Sequence, residues 1–139
     1  MKKMKIMLII SALVSLCLEI FGKGAVCKFA TPEETIIETY SYFSLVPYGY
    51  ANFAPFITAV LTILIFVFAV LLFTSAAKKI TGILKAVSII SVITSFIPLV
   101  MFGMEYYNAV SFFISLLMII QLVVIILLKS KKGADTIEA

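Results

Sequence analysis

Four apolar runs, at about 4–21, 53–77, 83–103 and 106–128, take up most of the chain and constrain its fold more than any other feature. A helix rising about 1.5 Å per residue needs about 20 residues to cross a hydrocarbon core of about 30 Å. The last three runs reach that length and the first comes close to it. Backbone N–H and C=O groups in lipid must be paired within their own segment, so each run is expected to be α-helical. The predicted fold is an all-α membrane protein, an antiparallel four-transmembrane-helix bundle forming a single integral membrane unit over residues 1–139. A short basic turn joins the second and third runs, which predicts an antiparallel helix pair there.

Composition excludes the main alternative. Of 139 residues, 63% are hydrophobic and 13% charged. Soluble domains carry about 45–50% apolar and about 25% charged residues. Water-facing surface would therefore be too scarce, and the lipid bilayer is the first expected partner. The net charge is +4, all eleven basic residues are lysines, and there is no histidine. The lysines stand at the ends of the apolar runs, which argues for topology determinants and against nucleic acid.

Topology follows from that distribution. Lys2, Lys3 and Lys5 precede the first run, Lys78, Lys79 and Lys85 lie between or near the second and third, and Lys129, Lys131 and Lys132 follow the fourth. Only Lys23 and Lys28 fall on the opposite side. The positive-inside rule places both termini in the cytoplasm of a multi-pass plasma-membrane protein. All six tyrosines (40, 42, 48, 50, 106 and 107) fall on the expected outer side, where a ring with a polar tip suits the interface. Free use of Lys and Ile without Arg suggests a bacterium with an AT-rich genome.

The N-terminal run has the basic flank and apolar length of a signal peptide, with cleavage conceivable after Gly24. The run continues past Glu19 to Phe21, however, and the stretch from Lys5 to Lys23 is long enough to span. Retention as a first helix is the favoured reading. The tail 129–139 is short and polar, and is expected to be disordered.

The outer loop, 23–52, is the one sizeable segment outside the runs. Thr31, Pro32, Glu33 and Glu34 have the form of a helix capping box, with proline at the first helical position. Ile36, Ile37, Tyr40 and Phe43 then recur at helical spacing. These signals predict a short amphipathic helix over 32–44, lying on the membrane surface, although the alternation at 39–44 also permits a strand. Val46, Pro47, Tyr48 and Gly49 fit a type I turn, and Asn52 fits the cap of the next helix. Seven aromatic rings lie between Tyr40 and Phe56. One helix's interfacial belt needs fewer, so Tyr48 and Tyr50 are candidate docking residues for a membrane-protein partner.

No residue pattern predicts catalysis, a cofactor or a metal. Histidine is absent, and Cys17 and Cys27 form no C-x-x-C pair. The expected depths of the two cysteines differ, which argues against a disulfide between them. A four-helix thiol–quinone oxidoreductase would require cysteine pairs. The expected protein is therefore not an enzyme.

Three intramembrane features remain. Glu19 is an ionisable residue within the first run, and such residues are functional candidates for proton or ion binding. Lys23, four residues on, offers a plain interfacial ion pair as its explanation. Gln121 lies near the middle of the fourth run and is expected to hydrogen-bond a neighbouring helix. Ser11 with Ser15, Ser91 with Ser95, and Ser111 with Ser115 form small-xxx-small packing faces, which Ser88 joins. Pro98 is expected to kink the third helix and free the carbonyl of Thr94.

The segment LEIFGKG, 18–24, is loosely similar to the surroundings of the helix-one glutamate in small multidrug resistance transporters. That resemblance implies proton exchange for a cationic substrate through Glu19. The chain departs from the family in its greater length, its large first outer loop, its fixed charge bias, its lack of tryptophan and the position of Glu19 near the outer end. In outline the chain also resembles four-pass proteins such as claudins, without their tryptophan motif or loop cysteine pair. Neither resemblance assigns a family. The leading expectation is a non-enzymatic membrane component or partner-binding subunit, with a membrane-protein partner or a second copy as its target. The alternative is a small transporter or channel subunit, proton-coupled through Glu19.

Overall fold

A computed structural model of the chain describes the backbone of residues 1–137 and the side chains of residues 1–128. Its frame is four long helices, α1 (Lys2–Phe21), α3 (Ala54–Leu71), α4 (Ala77–Phe102) and α5 (Ala109–Ile137), with the five-residue α2 (Leu45–Gly49) between the first two. Each of the four is long and apolar enough to cross a membrane, which suggests a membrane-embedded protein. α1 packs against α3 and α5, and α4 packs against the same two, so the contacts close into a ring.

The helix boundaries differ from the apolar runs for local reasons. α3 stops at Leu71 and α4 begins at Ala77, so Lys78 and Lys79 belong to the first turn of α4. The Thr74 hydroxyl organises the connection by donating to Leu71 O at 2.7 Å and accepting from Ala76 N at 3.3 Å. Lys5 reaches this turn and donates to Leu72 O at 2.6 Å, a basic side chain satisfying an open helix-end carbonyl. At the opposite end, Gly103 stops α4 with φ of 90°, a left-handed conformation that glycine adopts without penalty. A 3-10 turn, Met104–Tyr106, follows. Asn108 Oδ1 then accepts from Ser111 N at 3.1 Å and caps α5. The backbone of α5 extends to Ile137, and the polar tail 129–139, expected to be disordered, lies outside the residues whose side chains are described.

The loop 23–52 overturns an expectation. In place of a helix over 32–44, strands β1 (Ala25–Ala30) and β2 (Thr35–Tyr40) pair antiparallel, with Ala25 opposite Tyr40 and Ala30 opposite Thr35. The residues read as a capping box make the hairpin turn. Thr31 Oγ1 accepts from Glu34 N at 3.1 Å and donates to Glu34 O at 2.7 Å, and Thr31 N donates to the same carbonyl at 2.9 Å. A threonine hydroxyl on the N–H three residues ahead serves a turn as well as a helix start. The β-branched sequence Thr35–Tyr40 favours a strand once a partner is present, and β1 supplies it.

The hairpin is tied to the helices at several points. Ala25 forms a further antiparallel bridge with Tyr107. Tyr42 N donates to Glu19 O at 3.0 Å, and the Tyr42 side chain is buried. The ring lies against the backbone at Gly24, where a Cβ would come within 2.7 Å of Tyr42 Cε1. Val46 to Gly49 belong to helix α2, not to a type I turn, with Ser44 Oγ accepting from Val46 N as its cap. Asn52 does not cap α3. Its amide donates to Val26 O at 3.0 Å instead, and Phe53 occupies the cap position. Side-chain pairing with a strand carbonyl satisfies a buried group that a solvent-exposed cap would not need.

Candidate functional site

The helices turn hydroxyls inward and aliphatic groups outward. On α1, Leu8, Ser11, Ala12, Ser15 and Glu19 recur at helical spacing and are the buried residues of that helix. α3 contributes Thr58 and Thr62, α4 contributes Ser88, Ser91, Thr94 and Ser95, and α5 contributes Ser111, Ser115 and Gln121, all buried. Small side chains let the backbones approach and leave room for hydrogen bonds between helices.

Glu19 is central to this arrangement. It is 0% exposed, and its Oε1 accepts from Thr62 Oγ1 at 2.7 Å. Its other oxygen, Oε2, has no hydrogen-bond partner. The expected ion pair with Lys23 is not formed. α1 ends at Phe21, Lys23 is exposed, and the salt bridge found among the described residues joins Lys28 to Glu105. The i,i+4 geometry fails because the helix stops before Lys23 and Glu19 faces inward.

The hydroxyls continue from Glu19 across the ring. Thr62 Oγ1 also lies 2.9 Å from Thr58 O. Thr58 Oγ1 is 2.9 Å from both Ala54 O and Thr94 Oγ1, which joins α3 to α4. Thr94 Oγ1 donates to Ser91 O at 3.1 Å, and Ser91 Oγ lies 2.9 Å from Met118 Sδ on α5. Ser115 Oγ, on α5, donates to Ser95 O at 3.3 Å. Pro98 is buried within α4, which remains continuous from Ala77 to Phe102.

Gln121 makes the interhelical bond expected of its type, with Nε2 donating to Ser15 Oγ on α1 at 2.9 Å. Its Oε1 is unpartnered, as is Ser88 Oγ. Ser15 and Glu19 lie on one face of α1, yet Gln121 and Glu19 use different partners and do not share a hydrogen bond. Thr58 and Thr62 were not among the residues the sequence singled out, and Thr94 entered only through its backbone carbonyl. The four-residue spacing of Thr58 and Thr62, the same as in the serine pairs, is the signal that could have found them.

Tyr48 and Tyr50 are not part of this interior. They are 51% and 65% exposed, with Tyr48 edge-on to Phe56 and Tyr50 edge-on to Phe29. Phe21, Leu45 and Ile37 are also exposed at this end. Tyr50 further lines a cavity of about 100 Å³ together with Cys27, Lys28, Asn52 and Tyr106. Burial, with Glu38 adding to it, holds the Cys27 thiol above its ordinary range, which opposes thiolate chemistry there. Burial likewise pushes the Tyr42 phenol up. Among the described residues, no group of three His, Cys, Asp or Glu side chains gathers within reach of one metal ion. No family model, curated protein or solved structure matches the chain.

Proposed function

We propose that this chain is a non-enzymatic component of a bacterial plasma membrane, a four-helix bundle with cytoplasmic termini whose hairpin end receives a membrane-protein partner. The supporting observation is the placement of the interior hydrogen bonds. Gln121 bonds Ser15, Thr58 bonds Thr94 and Ser115 bonds Ser95, all within one chain. The polar groups that would attract another helix in lipid are thus bonded within the chain or, like Glu19 Oε2, Ser88 Oγ and Gln121 Oε1, buried inside it. The lateral faces carry exposed Ile, Val, Leu and Phe, which suit lipid. The rings of Tyr48 and Tyr50 then remain as the surface for a partner. Crosslinking in native membranes is expected to recover a partner with the parent chain and lose it with Tyr48→Ala plus Tyr50→Ala. Recovery of the same partners from both would overturn the assignment.

A second reading has its own support. The buried Glu19 has an unpartnered carboxyl oxygen, and an acid inside a membrane helix is costly unless it has a use. On this reading the protein is a small transporter or channel subunit, proton-coupled through Glu19. Glu19→Gln then abolishes a proton-coupled flux in liposomes, and a parent chain without flux across varied substrates would remove the reading for those substrates.

A further inference from the structure

Proton counting at Thr62 carries one step further. Its Oγ1 lies 2.7 Å from Glu19 Oε1 and 2.9 Å from Thr58 O. A threonine hydroxyl has one proton and two lone pairs. It cannot make a full hydrogen bond to a carboxylate and to a carbonyl at once, and neither of those acceptors has a proton to return. With Glu19 ionised, one of the two short contacts lacks its own proton. With Glu19 protonated, both are satisfied, because the carboxyl donates to Thr62 and Thr62 donates to Thr58 O.

We infer that Glu19 and Thr62 form a proton-binding site between α1 and α3, in which the bound proton sets the direction of the Thr62 hydroxyl. Loss of the proton to water turns that hydroxyl from the α3 carbonyl at Thr58 to the α1 carboxylate. Occupancy of the site is thereby read as the presence or absence of a hydrogen bond on the α3 backbone. Thr58 carries the effect onward, since its own hydroxyl meets Thr94 on α4.

The surroundings favour a proton over a competing cation partner. α3 over Ala54–Leu71 and α5 over Ala109–Leu128 have no titratable side chain, and the α4 lysines 78, 79 and 85 belong to the opposite end of that helix. On α1 itself Cys17 is exposed, while Lys2, Lys3 and Lys5 lie in the first turns. The loop packed on α1 brings Tyr42, with Tyr107 beside it, and the Tyr42 backbone N–H is bonded to Glu19 O. This inference deepens the second reading above and rests on it only for the use to which the proton is put.

Infrared difference spectroscopy of the full chain in phosphatidylcholine vesicles tests the site without requiring transport. A protonated-carboxyl band that responds to pH and shifts in heavy water is expected. Glu19→Gln should remove it, Thr62→Val should shift its frequency, and Thr62→Ser should restore the parent frequency. A band unaltered in Glu19→Gln, or indifferent to Thr62→Val, would overturn the inference. So would a parent spectrum that responds to added sodium ions and not to pH, which assigns the site to sodium. If Glu19→Gln fails to fold, Glu19→Asp takes its place and should shift the band, and a band unchanged in Glu19→Asp would equally overturn the inference. A parent chain showing the band but no proton flux eliminates the transport reading and leaves the proton site standing.

Discussion

The inner faces of the four long helices change character halfway along. In the half beside the hairpin, the buried positions are Ser15, Glu19, Thr58, Thr62, Ser91, Thr94, Ser95, Ser111 and Ser115, with Ala12, Ala54, Pro55, Ala59, Pro98, Ile114 and Met118 between them. In the half beside the lysines, they are Leu8, Ile65, Ala69, Leu72, Ile80, Leu84, Val124, Ile125 and Leu128. Ser11, Ser88 and Gln121 mark the change. The outer faces of both halves are apolar, so the difference is confined to the interior. In water, the apolar half would be the source of stability. In lipid, where the four apolar helices suggest the chain resides, the hydrophobic drive between helices is largely absent and such a half is held by close packing. The polar half adds directional bonds, which fix the relative depth and rotation of the helices. One end of the interior is thus built for fit and the other for register, and Glu19 lies in the second.

The largest effect is expected from damage to the fitted half. Leu84 is 0% exposed, and Leu84→Ala should cost about 1–3 kcal/mol, the cavity part of a buried leucine truncation, measured by reversible unfolding in micelles. A loss no greater than that of a surface substitution would show that this half is loosely packed. A smaller effect is expected where the halves meet. The Gln121–Ser15 bond should be worth about 0.6 kcal/mol in a double-mutant cycle of Gln121→Leu and Ser15→Ala. A coupling several times larger would place register, not packing, first in the energetics. Swapping the two measurements in rank would reverse the comparison.

The smallest effect lies outside both halves, on the hairpin. Tyr40 OH donates to the Glu38 carboxylate, and this bond chiefly raises the phenol from 10.0 to about 12. A raised phenol favours the protonated, neutral form in the folded chain. The associated stabilisation is present below the ordinary tyrosine value and is lost as pH rises through about 12. Ultraviolet titration should find several late-ionising tyrosines, of which one returns toward its ordinary value in Glu38→Gln while Tyr42, raised by burial, stays high. The same titration in Tyr40→Phe identifies the residue.

Much of the frame was legible in the sequence because four long apolar runs leave few options. Apolar runs of sufficient length must be helical, and lysines must lie near their ends. Gln121 bonding another helix followed from the same reasoning, since an unpaired amide in an apolar interior is expensive. The hairpin was not legible from local signals. Thr31 and Glu34 fit a helix start and a strand turn equally well, and the choice depended on β1 reaching back to pair with β2. Asn52 was misread for a related reason: its partner, Val26 O, lies in a strand that the local pattern did not predict.

Seen again in the fold, the first helix shows where the two kinds of information divide. By itself the sequence determined that four long apolar helices form, although α3 ends and α4 begins six residues earlier than the apolar runs alone indicate. Their formation is a consequence of burying or solvating each segment's own groups. Only the tertiary structure decided that Glu19 turns away from Lys23 and toward Thr62, and that threonines from α3 and α4 meet across the interior. Rotation of a helix about its axis changes no length and little local energy in lipid. It is set by which neighbours can satisfy the few polar groups the helix carries, and those neighbours are distant in the chain.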